Sequence, residues 1–316
     1  MQFSVYQESH LGGRKVNQDR MGYSFTRDAL LLVLADGMGG HLRGEIAAGI
    51  TLQTISAVFQ QQAAPYIKGP ERFLEEACMA AHREIHRYAT LHDMPDTPRT
   101  TVVVCLIQHN VATWAHCGDS RLYWLRDGAV MARTRDHSHI ENLIRQGKAP
   151  ESARATHPDR NKLYNCLGAA SAPKVDISRR ASLLPGDVML LCSDGLWAVL
   201  PERELVDALS TRPVVRAVPE LLQAALRQGG DTGDNVTGLA ITWQGSAAGD
   251  GVATEVMSAT SSLPTLIRTE ELPQDLRGTT IPAPGDPAFD PFDEEQIERA
   301  IAEIRGAIEK SSRLLK

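Results

Sequence analysis

No stretch of this 316-residue sequence approaches the eighteen or so apolar residues that a membrane span requires, and the N-terminal MQFSVYQESH has no basic segment leading into an apolar one. No membrane insertion is expected. Zinc-binding patterns are missing as well. The five cysteines (Cys78, Cys105, Cys117, Cys166 and Cys192) form no CxxC pair, and the ten histidines show no HExxH or related spacing. Cys105 and Cys192 stand inside apolar runs, as reduced buried thiols do, so a cytoplasmic setting is expected. Gly37-Met38-Gly39-Gly40 has neither the GxGxxG spacing nor the Lys-Ser/Thr of a phosphate loop. Basic excess is absent too. The net charge is −6, all of it in residues 245–316, which carry thirteen acidic and seven basic side chains, while the first 244 residues hold 26 of each sign. That balance argues against nucleic acid as a main partner.

What the sequence does contain is carboxylates at the ends of apolar runs. The segments LLLVLADGMGGH (30–41) and VMLLCSDGLW (188–197) each carry a run with no helical period that stops at Asp-Gly, as a buried strand does when it presents a carboxylate and then turns. Asp36 and Asp194 therefore sit on rigid supports. Asp234 in GDNVTGLAITW stands just before another apolar run, and Asp119 occupies a Gly-Asp-Ser turn between two strand-like segments. A lone Asp-Gly is usually only a turn. Several together in matching strand context point to a hard cation such as magnesium or manganese, which takes oxygen donors.

The ordered set GGRKVNQDR, LADGMGGH, RTTVVV, GDSRLYWLRDG, LLCSDGLW and GDNVTGLAI resembles the metal-dependent Ser/Thr protein phosphatases, the type 2C or PPM family, in their compact bacterial form. The resemblance spans about residues 1–243. It implies that Asp36 bridges two Mn²⁺ or Mg²⁺ ions, that the Gly37 carbonyl ligates one of them, and that Asp194 and Asp234 hold the other. Asp19 would contribute directly or through water. It further implies that Arg14 grips the substrate phosphate, where a planar, permanently charged guanidinium can pair two oxygens. Two cations about 4 Å apart would acidify a bridging water for in-line attack on phosphorus. Asp119 would serve a third ion, or simply close its turn. His41 is either the general acid that protonates the leaving oxygen, or a residue that begins the next helix or donates a structural hydrogen bond. Ser120 has no His or Asp partner that spacing identifies as activating a nucleophile. Two positions depart from the family pattern. Gln18 replaces a common Glu and removes a negative charge near the metals. Arg99 replaces a usual Gly and is expected to alter only a loop.

Periodicity places strands at 3–8, 20–35, 101–108, 110–117, 120–126, 188–193 and 236–243. Tight turns are expected at His109-Asn110 and Asp127-Gly128. Helices are expected at 43–62, with Ala47, Ile50, Thr54, Ile55 and Val58 on one face, and at 71–91, with Leu74, Ala77, Ala81, Ile85 and Tyr88, then at 202–210 and 214–228. Strand-rich stretches interrupted by paired helices indicate an α+β fold with mostly antiparallel sheets. The resemblance makes it a four-layer α/β/β/α sandwich, two sheets flanked by helices, over residues 1–244.

Residues 136–170 break the regularity. By the resemblance they form a flap beside the cleft whose Arg and His side chains contact a phosphoprotein; otherwise they are a solvated helix and loop. Residues 245–291, rich in Ser, Thr, Gly, Pro and acid, are expected to be a disordered acidic linker. Residues 292–316 then read as an amphipathic helix. Asp293 caps it, and Ile297, Ile301, Ile304 and Ile308 form an apolar seam that must dock on its own domain, on another copy or on a partner. Removing 245–316 is expected to leave peptide dephosphorylation nearly intact. The functional expectation is a phosphoserine and phosphothreonine phosphatase acting on phosphoproteins, opposite a Ser/Thr kinase. Two rivals share its features: a phosphoprotein-binding module without turnover, favoured by Gln18 and Arg99, and a hydrolase of small phosphoesters.

Overall fold

The computed structural model describes residues 1–38, 43–154, 157–159 and 162–245. The expected linker and terminal helix beyond residue 245, and His41, lie outside the described residues. The chain opens with three strands, β1 (Gln2–His10), β2 (Asp19–Phe25) and β3 (Ala29–Asp36), followed by α1 (Gly44–Gln62) and α2 (Pro70–Leu91). A meander follows: β4 (Val102–Gln108), β5 (Val111–Cys117), β6 (Arg121–Arg126) and β7 (Ala129–Arg133). Then come α3 (His139–Arg145), the short strands β8 (Asp176–Ile177) and β9 (Ala181–Ser182), and β10 (Val188–Cys192). Three helices, α4 (Asp194–Trp197), α5 (Glu202–Thr211) and α6 (Val214–Gly229), lead into β11 (Val236–Gly245).

Two sheets result, and every ladder between their named strands is antiparallel. One has the order β1-β11-β10-β6-β7 and the other β2-β3-β4-β5-β8, with β9 also on β5. Between them lies a core that includes Phe3, Leu32, Leu34, Val103, Leu122, Met189, Leu191, Ile241 and Trp243. The outer face of the first sheet is covered by α5 and α6, through Leu205, Leu209, Ala217, Val218 and Leu222 against Tyr6, Leu190 and Ala240. Helices α1 and α2 cover the second sheet. This is why β3 reads as unbroken hydrophobic sequence: Ala29–Ala35 is fully buried because both of its faces are covered. The four-layer sandwich of mostly antiparallel sheets is the observed fold.

Several local expectations change. The segment 20–35 is two strands, because the Thr26 hydroxyl accepts the N–H groups of Asp28 and Ala29 and turns the chain. On α1 the buried face runs through Ala47, Ala48, Thr51, Ile55 and Phe59 with Ile50, while Thr54 and Val58 are only half-buried. Strand β10 stops at Cys192, so Asp194 is not the end of a strand: Ser193 is the capping residue and Asp194 opens α4. The turns at His109-Asn110 and Asp127-Gly128 both adopt left-handed φ (53° and 60°, 49° and 77°), as tight two-residue hairpin loops require. No helix among the described residues is long and apolar enough to cross a membrane.

Candidate active site

The acidic residues converge at one end of the sandwich because five separate segments of the chain deliver them there. Asp19 begins β2 and Asp36 ends β3, and the two are direct cross-strand partners, a register that holds their Cα atoms about 4.5–5.5 Å apart. Asp194 leaves β10 and Asp234 leads into β11, neighbouring strands of the facing sheet. The Ser193 hydroxyl donates to Asp19 Oδ2 at 2.8 Å, and the Ser193 N–H donates to the Thr237 carbonyl, so the two sheets are tied together at the site. Asp119 follows the β5 strand. Its turn is held through Arg121, which is buried, bonds Asp136 bidentately at 2.8 Å and lies 3.5 Å over the Trp197 ring of α4.

Electrostatics show how close the carboxylates are. Burial, and after it the charges of Asp19, Asp194, Asp119 and Asp234, drive the Asp36 carboxyl well above the usual carboxylate range. Asp194 is driven the same way, by burial and then by Asp119, Asp234 and Asp19. Asp19 rises to about 6, mainly through burial, against the opposing Thr237 and Ser193 hydroxyls. Asp119 rises to about 7 through burial and Asp136, with Arg121 pulling the other way. Asp19 Oδ1 is buried and has no hydrogen-bond partner. An orphaned buried oxygen amid like charges is costly on its own and fits a divalent cation, for which oxygen donors and negative charge are what the site must supply.

The backbone around these groups is equally constrained. The Asp36 carbonyl accepts from Thr101 N–H and the Thr100 hydroxyl, each at 2.8 Å, and Gly37 N–H donates to Gln18 O. A Cβ on Gly37 would come within 2.3 Å of the Gly44 carbonyl oxygen, so only glycine fits. Arg14 sits at the mouth, with half its side chain exposed, and donates through Nη2 to Asp234 Oδ2 at 2.6 Å. Its loop is fixed by Gly12, which has φ +60° and packs so tightly on the Asp234 carbonyl that a Cβ would lie 2.0 Å away. Gln18 donates through Nε2 to Glu45 Oε2 at 3.3 Å. A carboxylate at position 18 would instead face Glu45, so the neutral amide suits this neighbour. Arg99 is nearer the site than expected: its carbonyl accepts Met38 N–H at 2.9 Å, a contact any residue supplies through its backbone.

Sequence reasoning missed Asn235, whose buried side chain accepts from Gln18 N–H and donates to the Leu11 and Val16 carbonyls. It also missed a cluster of His116, His137 and Asp176, with ligand atoms within 4.8 Å of one another. Hydrogen bonds decide against an ion there. Both ends of the Asn165 amide are fixed by the Lys174 backbone, so Asn165 Nδ2 donates to His137 Nδ1, as does Gly118 N–H. Nε2 of that ring therefore carries the proton and donates to Asp176 at 3.1 Å. Within residues 136–170 the Tyr164 N–H donates to the His137 carbonyl.

The chain belongs to the protein phosphatase 2C family, whose model matches residues 6–231. It is similar to the serine/threonine phosphatase stp of Listeria innocua serovar 6a, with 29% identity over 231 residues, 72% of this chain and 90% of the relative. Among solved structures it resembles the serine/threonine phosphatase Stp1 from Staphylococcus aureus (TM-score 0.70, 26% identity, 78% of this chain and 96% of that one). It also resembles the catalytic domain of the phosphatase PstP in complex with two manganese ions (TM-score 0.64, 27% identity, 76% of this chain and 97% of that one). The protein is thus a metal-dependent Ser/Thr protein phosphatase, and its cofactor is Mn²⁺ or Mg²⁺.

Proposed function

We propose that the chain hydrolyses phosphoserine and phosphothreonine in cytoplasmic phosphoproteins, opposing a Ser/Thr kinase, at a centre of two Mn²⁺ or Mg²⁺ ions. Asp19, Asp36, Asp194, Asp234 and the Gly37 carbonyl would hold the two ions, and Asp119 a third. The observation that carries this reading is the forced convergence of these carboxylates around the orphaned Asp19 Oδ1. Such cations supply Lewis acidity, acidifying a water and offsetting phosphate charge.

The protein's own groups do the rest. Arg14 keeps its guanidinium at the mouth through one bond to Asp234, and its remaining N–H donors are open to two phosphate oxygens. Ser193 and Asn235 hold Asp19 and the Arg14 loop in place, so the donors need little reorganisation when the ester binds. The attacking oxygen bonds phosphorus as the ester P–O bond breaks, and the Ser or Thr oxygen leaves with a proton. His41 is the residue we assign to deliver that proton.

Phosphate release from phosphothreonine and phosphoserine peptides tests the assignment. Release should require Mn²⁺ or Mg²⁺, stop with chelator, and fall by more than about a hundredfold in Asp194→Asn, since even outer-sphere partners of a metal cost tenfold to hundredfold. A folded protein that releases no phosphate from any peptide with either metal would contradict it.

A further inference from the structure

Away from the carboxylates, a cavity of about 440 Å³ opens at one side of the sandwich. Among the described residues β7 pairs only with β6 and β8 only with β5, so the terminal strands of the two sheets form its walls. Its lining includes Arg133, Arg135, Arg179 and Arg180 against one carboxylate, Asp176. The first 244 residues are charge-balanced overall, so four arginines about one aspartate is a local departure. The ring of Trp114 and the ring of Trp124 lie among them.

Three of these arginines stay largely exposed, while Arg133 is only 24% exposed and lies 3.7 Å from Glu202. Arg135 and Arg180 keep about two-thirds of their side chains exposed (67% and 64%); Arg135 lies 3.7 Å from Glu141, whereas Arg180 bonds Glu71 bidentately at 2.7 and 3.2 Å. A loose exposed pair such as Arg135–Glu141 is weak and easily exchanged. Arg179 is exposed and has no ion-pair partner among the described residues. The walls are firm. Trp114 and Ser178 exchange two hydrogen bonds across the β5 edge, and His116 Nε2 donates to the Arg135 carbonyl at 2.7 Å. Both terminal strands also leave backbone groups outside the ladders, which an extended chain can use.

The groove lies beside the site. His116 is three residues before Asp119 along the chain, about 10 Å at strand rise. Arg135 directly precedes Asp136, the residue whose charge raises Asp119. An extended peptide with its phosphoresidue at the carboxylates would reach the arginines within about three to eight residues.

We propose that this groove is a docking site for an acidic segment of the phosphoprotein substrate, its Asp and Glu side chains pairing with Arg135, Arg179 and their neighbours. The inference rests on the phosphatase reading and adds the substrate class. Two phosphothreonine peptides test it on the manganese-loaded full chain. They are identical except that one carries about four Asp or Glu at about three to eight residues from the phosphothreonine and the other carries Gln there. The acidic peptide should show a KM about three- to tenfold lower at equal kcat, and the advantage should shrink as salt rises. In the double variant Arg135→Ala/Arg179→Ala the advantage should vanish while the Gln peptide is turned over as before. Equal KM values in the parent protein, or an advantage that survives the double substitution, would overturn the assignment. Fluorescence anisotropy of a labelled, unphosphorylated acidic peptide reads docking without turnover: the parent should bind and Arg179→Glu should not, and equal binding overturns the groove. Turnover of the Gln peptide reports separately on the phosphatase reading.

Discussion

Every polar atom of the Asn235 side chain is committed to the loop that carries Arg14 and Gln18. Asn235→Ala would leave one N–H and two carbonyls without these partners, at a cost of about 2–4 kcal/mol in urea unfolding. It should also raise the Mn²⁺ concentration for half-maximal activity by about tenfold to a hundredfold, as losing an outer support of a metal ligand does. An unchanged metal requirement would remove Asn235 from the site's scaffold. The carboxylates were legible in the sequence because several of them flank apolar runs in the same way, which turns alone would not produce. Asn235 was not, although it stands beside Asp234, because an amide's partners are set by which loop the fold brings against it. Asp36→Asn separates stability from function at the same scale. It removes one of several like charges forced together, so the metal-free melting temperature should hold or rise while the gain on adding Mn²⁺ is lost. A fall in the metal-free value would show that repulsion does not dominate there.

Among the elements, α2 matched its sequence reading residue for residue, since Leu74, Ala77, Ala81, Ile85 and Tyr88 are all buried. Helix α1 did not. Its small residues Ala48, Thr51 and Ser56 are buried, and hydrophobicity alone cannot tell a small residue at a contact from one facing water. The hairpin turns were legible through Asn and Gly. The strands β7, β8 and β9 were not, being short, exposed or polar edges that only pairing defines. Helix α2 also carries His82, whose Nδ1 accepts Gly168 N–H and whose pKa is lowered, first by burial and then by His86 and Arg83. A histidine held below its unfolded value stabilises fully above about pH 6.5, and that contribution is lost as pH falls below it. The urea midpoint of the parent, relative to His82→Gln, should therefore drop between about pH 7.5 and 5.5. A constant difference would mean that His82 titrates alike in both states.

At the scale of the whole molecule, the site is where two sheets that bury a common core bring their strand ends together. The layer order was legible from alternating strand and helix segments together with the family resemblance. The meeting of Asp19 and Asp36 with Asp194 and Asp234 depends on register and sheet pairing, which periodicity does not specify. An ion held from both sheets would join them, so metal should stabilise the fold as well as serve the chemistry. The most direct measurement is calorimetric titration of metal-free protein with Mn²⁺, run in parallel on Asp36→Asn and Asp194→Asn. The account predicts two tightly bound ions in the parent, and loss of tight binding in Asp36→Asn, whose carboxylate is the one crowded by Asp19, Asp194, Asp119 and Asp234. Parent-like binding of two ions by Asp36→Asn would contradict a centre built on that carboxylate.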